Sequence, residues 1–114
     1  MIKILVCLDE HDIKRSAELA GAVEDLYLRT EIELDAVIFG KLSKEVTGYF
    51  DIIHQFAVSK QQVYNTRWIA ERIRRLQVQE QYSCIVIPAT SVWRMIAPSL
   101  AIKLDTGLVA DSLL

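Results

Sequence analysis

The feature that most constrains this chain is its first apolar run, "IKILVCL" at residues 2–8. It is rich in Ile, Leu and Val and does not alternate with polar residues, so a strand built from it must be covered on both faces, as in a parallel sheet flanked by helices. The stretch "DEHDIKRSAELAGAVEDLYLRT" follows at once. Leu19, Val23, Leu26 and Tyr27 recur there at helical spacing, and Lys14, Arg15, Glu18 and Glu24 fall largely on the other side. That pattern predicts an amphipathic helix packed on the sheet. "EIELDAVIFG" (31–40) predicts a second strand, in which Ile32, Leu34 and Ala36 alternate with acids before the run becomes continuously apolar. A weak stretch, "KLSKEVTGY", supports a short helix or turn. "FDIIHQFAV" (50–58), interrupted by His54 and Gln55, fits an edge strand.

The region 59–81 is the clearest helix, with Ile69, Ile73 and Leu76 in one stripe. "YSCIVIPA" (82–89) and "GLVADSLL" (107–114) read as a fourth and a fifth strand. Strands and helices alternate with short connections and crossovers are right-handed, so the expected architecture is α/β. It is a single domain over 1–114, a three-layer, Rossmann-like open parallel sheet of five strands in the order 3-2-1-4-5. Pro98 suits the first turn of a helix, and the residue before a proline avoids helical geometry. The last helix is therefore expected to start at Pro98 and to leave residues 89–97 as a loop.

The net charge of −2 disfavours nucleic acid as a partner. No run approaches the roughly 18 apolar residues of a membrane helix, and no signal peptide is visible, so the expected address is cytoplasmic, off the membrane. Cys7 and Cys84 sit inside apolar runs without metal-ligand spacing, as small core residues do, and no metal site is expected.

In the order 3-2-1-4-5 the ligand crevice lies beyond the carboxyl ends of strands 1 and 4. The loops there are "LDEHD" (8–12) and "PATSVWRMIAP" (88–98). They offer Asp9, Glu10, His11 and Asp12 on one side and Thr90, Ser91 and Arg94 on the other. Asp12 suits a helix cap. A Gly-rich phosphate loop is absent, and no nucleophile–base pair stands out, so no catalytic residue is assigned. Trp93 and Arg94, held between two prolines, are expected to face a partner from a loop, and His54 to be structural. The Arg-rich face of 67–75 reads as solvated.

The stretch "PATSVWRMIAPSLAIKLDTGLVAD" resembles the end of the N-terminal domain of electron transfer flavoprotein alpha subunits. The matching positions are Thr90, Ser91, Arg94, Ala97, Pro98, Leu100, Ala101, Leu104, Thr106, Gly107, Leu108, Ala110 and Asp111, with Glu10 and His11 similar to the family's turn after strand 1. The family's Gly-Arg-Asp triplet is altered here to Trp93, Arg94 and Met95, and Ser99 replaces a basic residue. The resemblance implies the adenine nucleotide alpha hydrolase-like fold and a role in association with a beta-subunit-like protein, or with itself, within a flavin-dependent electron carrier rather than as an enzyme. It also implies that FAD belongs to a C-terminal domain absent from these residues, so no cofactor is expected on this chain alone. The alternative is a stand-alone adenine-nucleotide module resembling universal stress proteins, with ATP or AMP touching Asp9, Glu10, Thr90 and Ser91. A small hydrolase using His11 and the neighbouring acids has the least support.

Overall fold

The computed structural model of the chain describes residues 2–14, 18, 21, 23, 31–42, 44–58, 65–88, 90–103 and 108–110. Strand β1 (Ile2–Leu8) runs parallel to β2 (Ile32–Phe39) on one side and to β4 (Cys84–Ile87) on the other. The strand β3 (Ile52–Phe56) lies outside β2, also parallel, giving the order β3-β2-β1-β4 and placing β3 at the edge, as its polar interruptions predict. The segment β5 (Leu108–Ala110) stands in register beside β4, with Ile85 opposite Leu108. The rest of the expected 107–114 strand lies outside the described residues.

β1 is buried on both faces. Leu5 and Cys7 point into one core and Ile4, Val6 and Leu8 into the other, all at 1% exposure or less. The first core is closed by helix α1 (Thr66–Glu80), through Ile69, Ala70, Ile73 and Leu76, and by helix α2 (Ser91–Lys103). The second is closed by Val23, one of the helical residues between β1 and β2, and by Phe50. Of the stripe expected on that first helix, Leu19, Leu26 and Tyr27 lie outside the described residues. The weak stretch forms a 3-10 helix, Lys44–Tyr49.

α1 starts where Asn65 supplies a cap: its Oδ1 accepts from Trp68 N at 3.0 Å. It ends at Gln81, a non-glycine residue in the left-handed region (φ 55°), whose N–H donates to Gln77 O at 2.8 Å. Its Arg-rich face carries local pairs: Arg74 binds Glu71 through two hydrogen bonds, and Arg72 lies 5.3 Å from the Trp68 ring centre. Cys7 and Cys84 are both free thiols, and burial pushes both upward in pKa. Among the described residues no helix is long and apolar enough to cross a membrane.

Two expectations about residues 89–104 need correction. The helix begins at Ser91, not Pro98, and carries Pro98 inside it. Trp93 is also not on a partner-facing loop: it is 3% exposed and packs 6.2 Å from Phe39, ring centre to ring centre. The physical reason is shared. Trp93, Ile96 and Leu100 repeat at i, i+3 and i+7, and all three are buried. Burying each is worth about 1.5–3 kcal/mol, which together exceeds the roughly 3 kcal/mol that a proline inside a helix costs. Ala97 is thereby held helical despite preceding a proline.

Pro98 is exposed, and it removes the N–H that would donate to Arg94 O within this helix. Pro98→Ala is expected to stabilise the protein by about 1–3 kcal/mol, read from the midpoint of urea unfolding. A chain that formed a loop up to residue 97 would show no such gain.

Candidate functional site

The carboxyl ends of β1 and β4 open onto a crevice of ≈ 500 Å³ lined by Asp9, His11, Asp12, Thr90, Ser91, Val92 and Arg94. That volume lies in the range of small-molecule sites. Beside it is a narrow apolar recess of ≈ 30 Å³, floored by Leu8, Phe39, Ile69, Trp93 and Ile96 and sharing Asp9, His11 and Val92 with the crevice. The recess has room for about one water.

One wall is the turn after β1. Asp9 is 7% exposed; its Oδ1 accepts from His11 N at 2.9 Å and its carbonyl from Asp12 N at 3.1 Å, an Asx-type turn. Asp12 stands directly before the helical residues Ile13 and Lys14, at a cap position. Glu10 turns toward the next loop instead of the crevice. Its Oε2 accepts from Lys41 N at 2.7 Å, and its Oε1 lies 3.4 Å from His11 Nε2.

The tip of β2 accommodates Glu10 only because residue 40 is glycine. Gly40 has φ +133°, and a Cβ there would collide with the Glu10 carboxylate. The same residue is pinned by its N–H to Phe56 O at 3.0 Å and by Gln55 Nε2, which donates to its carbonyl at 2.9 Å. Gln55, a polar interruption of β3, thus fastens the edge strand to the turn that holds Glu10.

The opposite wall is the start of α2. Thr90 O accepts the first helical bond, from Arg94 N at 2.9 Å. Its side-chain Oγ1 is buried and has no hydrogen-bond partner. A threonine at this position ordinarily caps the helix by accepting from its first-turn N–H groups; here it does not. Thr90, Ser91 and the exposed Arg94 one turn on therefore line the crevice together at the helix N-terminus. Of the residues singled out in the sequence, Asp9, His11, Asp12, Thr90, Ser91 and Arg94 converge there. Glu10 is held aside by Lys41, and Trp93 contributes only to the floor of the recess.

A second polar cluster escapes the sequence reading. Asp35 of β2 is fully buried; its Oδ2 accepts from Tyr82 OH at 2.8 Å, and His54 Nε2 lies 3.2 Å from the same hydroxyl. Since the phenol gives its proton to Asp35, His54 must carry its proton on Nε2 and donate to Tyr82. Tyr82 is clamped to the end of α1 by Gln77, which donates to Tyr82 O at 2.9 Å and accepts from Tyr82 N at 3.0 Å. Burial pushes Asp35 up to about 6, with Glu33 adding to the rise and Tyr82 opposing it. In the sequence Asp35 only precedes the apolar run 36–39, which does not reveal whether its carboxyl loses its water. Groups of three or more metal-ligating side chains are absent among the described residues.

The parallel order β3-β2-β1-β4, with helical cover on both faces and a crevice at the reversal of strand order, defines a Rossmann-like α/β module. The chain is similar in fold to a protein of the universal stress protein family from Burkholderia pseudomallei. The TM-score is 0.59 and the identity 16%, over 95% of this chain and 93% of that one. No protein-family model matches the chain, and no curated protein matches it.

Gly40→Ala is expected to destabilise the fold by about 1–3 kcal/mol, through positive φ and displacement of Glu10. Urea unfolding of the variant measures the loss.

Proposed function

We propose that this chain is an adenine-nucleotide-binding module, with the phosphate end of the ligand at the start of α2 and the base across the apolar recess. The observation that carries the reading is Thr90, a crevice-lining residue at a helix N-terminus whose hydroxyl is buried and without a partner. A buried polar group in a native structure calls for a partner, and a phosphate oxygen is an apt one here. Arg94 adds the only Lys or Arg side chain among the described crevice-lining residues, and Ser91 a second hydroxyl. Asp9 shapes the turn on the far side, through its bond to His11 N. Without a Gly-rich loop, the phosphate is held by one helix start and two side chains, which suits moderate rather than tight affinity. The fold likeness to a universal stress protein family member agrees with this reading more than with an electron-carrier domain.

A five-stranded sheet, with β5 (Leu108–Ala110) beside β4, belongs to the same proposal. The electron transfer flavoprotein reading rests on the sequence likeness of residues 88–111. Within it, Arg94 stays available to a partner, whereas Trp93 is buried beneath the surface.

Isothermal calorimetry with AMP and ATP tests the module. Binding at micromolar to millimolar concentration is expected, weakened about tenfold or more by Arg94→Ala and also weakened by Thr90→Val. No heat with either nucleotide at millimolar concentration would remove this reading.

A further inference from the structure

Asp35 and Glu33 are two residues apart on β2, so both side chains leave the same face of the sheet. Each carries one buried oxygen without a hydrogen-bond partner, Asp35 Oδ1 and Glu33 Oε2. Two carboxylates can only accept, so if both are ionised neither orphan can satisfy the other. A single proton changes this: a hydroxyl at Asp35 Oδ1 donates to Glu33 Oε2, while Asp35 Oδ2 still accepts from Tyr82 OH. We propose that Asp35 and Glu33 hold one proton between those two oxygens, and that this proton makes the Lys3 end of the sheet a pH-sensitive element of the fold.

The charged groups around the pair support this assignment. Lys3 of β1 lies 3.6 Å from Glu33 Oε2, but its ammonium is engaged by Glu80 at 2.7 Å, which raises Lys3 and lowers Glu80. From β3, His54 meets the network at the Tyr82 hydroxyl and also acts electrostatically on Glu80. Tyr82 itself, from the α1–β4 turn, is held further in its neutral form by burial and by Asp35. Asp51 is occupied on the backbone of β2, accepting from Leu34 N at 2.8 Å. One lysine thus serves two glutamates, and no second cation among the described residues approaches Asp35. The buried acid is best kept neutral, in agreement with its pKa near 6.

The sign of the pH effect follows. Asp35 in the folded protein binds its proton more tightly than the ordinary unfolded carboxyl at about 3.9. Its contribution is therefore most favourable below about pH 4, falls as pH rises toward 6, and levels off above. Glu80 acts oppositely, losing its ion pair at low pH, so the Asp35 effect must be read as a difference between variants. Asp35→Asn mimics the protonated pair, because its amide donates to Glu33 and its carbonyl accepts from Tyr82.

Urea unfolding from pH 4 to 7 gives the first measurement. The unfolding constant of the wild type relative to Asp35→Asn is expected to rise about fiftyfold across that range, and His54→Gln should retain most of the wild-type pH dependence. A flat ratio, or a dependence abolished by His54→Gln instead, overturns the proposal. The second measurement, carbon-13 NMR titration of the side-chain carboxyls, does not depend on Asp35→Asn folding. The Asp35 resonance is expected to titrate near pH 6 in the wild type and lower in Glu33→Gln, whose amide can donate to ionised Asp35. An Asp35 midpoint at or below about 4, or one unmoved by Glu33→Gln, sinks the shared proton. Neither measurement involves nucleotide, so the crevice reading and this one fail separately.

Discussion

The rest of the structure depends on keeping both faces of β1 dry. Five successive residues, Ile4 to Leu8, are at 1% exposure or less and divide the interior into two cores. A strand buried in this way needs helices on both sides, and parallel neighbours reached by crossovers supply them. At about 25 cal/mol per Å² of apolar surface, such burial is the dominant favourable term in a domain of this size. It also fixes the location of the crevice, because the central strand is where chain connections depart to left and right. The turn 9–12 is thus carried to the crevice end of the sheet by a strand buried on both faces.

Around that end the protein uses its polar residues for two distinct purposes. Glu10, Gly40 and Gln55 hold the tips of β1, β2 and β3 together, a structural bracket built over a glycine in a conformation that side chains rarely adopt. Thr90, Ser91 and Arg94 are left facing outward into the crevice at the start of α2. The bracket ties Glu10 to the Lys41 backbone at the rim of the apolar recess. The Trp93 side chain links the two regions, since it supports the apolar recess from below and packs at a tilt against Phe39 at the end of β2.

Much of the fold was legible in the sequence. The order of the four strands followed from continuous apolar runs separated by helical spacings, and the edge position of β3 followed from His54 and Gln55. The position of the crevice was legible for the same reason, as were six of its lining residues: Asp9, His11, Asp12, Thr90, Ser91 and Arg94. The start of α2 was not. Local rules for Pro98 favoured a loop, whereas the i, i+3, i+7 stripe of Trp93, Ile96 and Leu100 favoured a helix, and only the area buried against the sheet decides between them. The same error placed Trp93 at the surface.

The sequence by itself determined that β1 is a buried parallel strand and that the chain alternates strand and helix around it, because those properties are written in local periodicity. Tertiary structure alone decided which polar groups lose their water. Asp35 looks like any acid on an alternating strand until α1 and the Gln77–Tyr82 clamp close over it. Thr90 looks like any helix cap until its hydroxyl is found without a partner. Desolvation depends on everything packed around a group, and no window of the sequence contains that information.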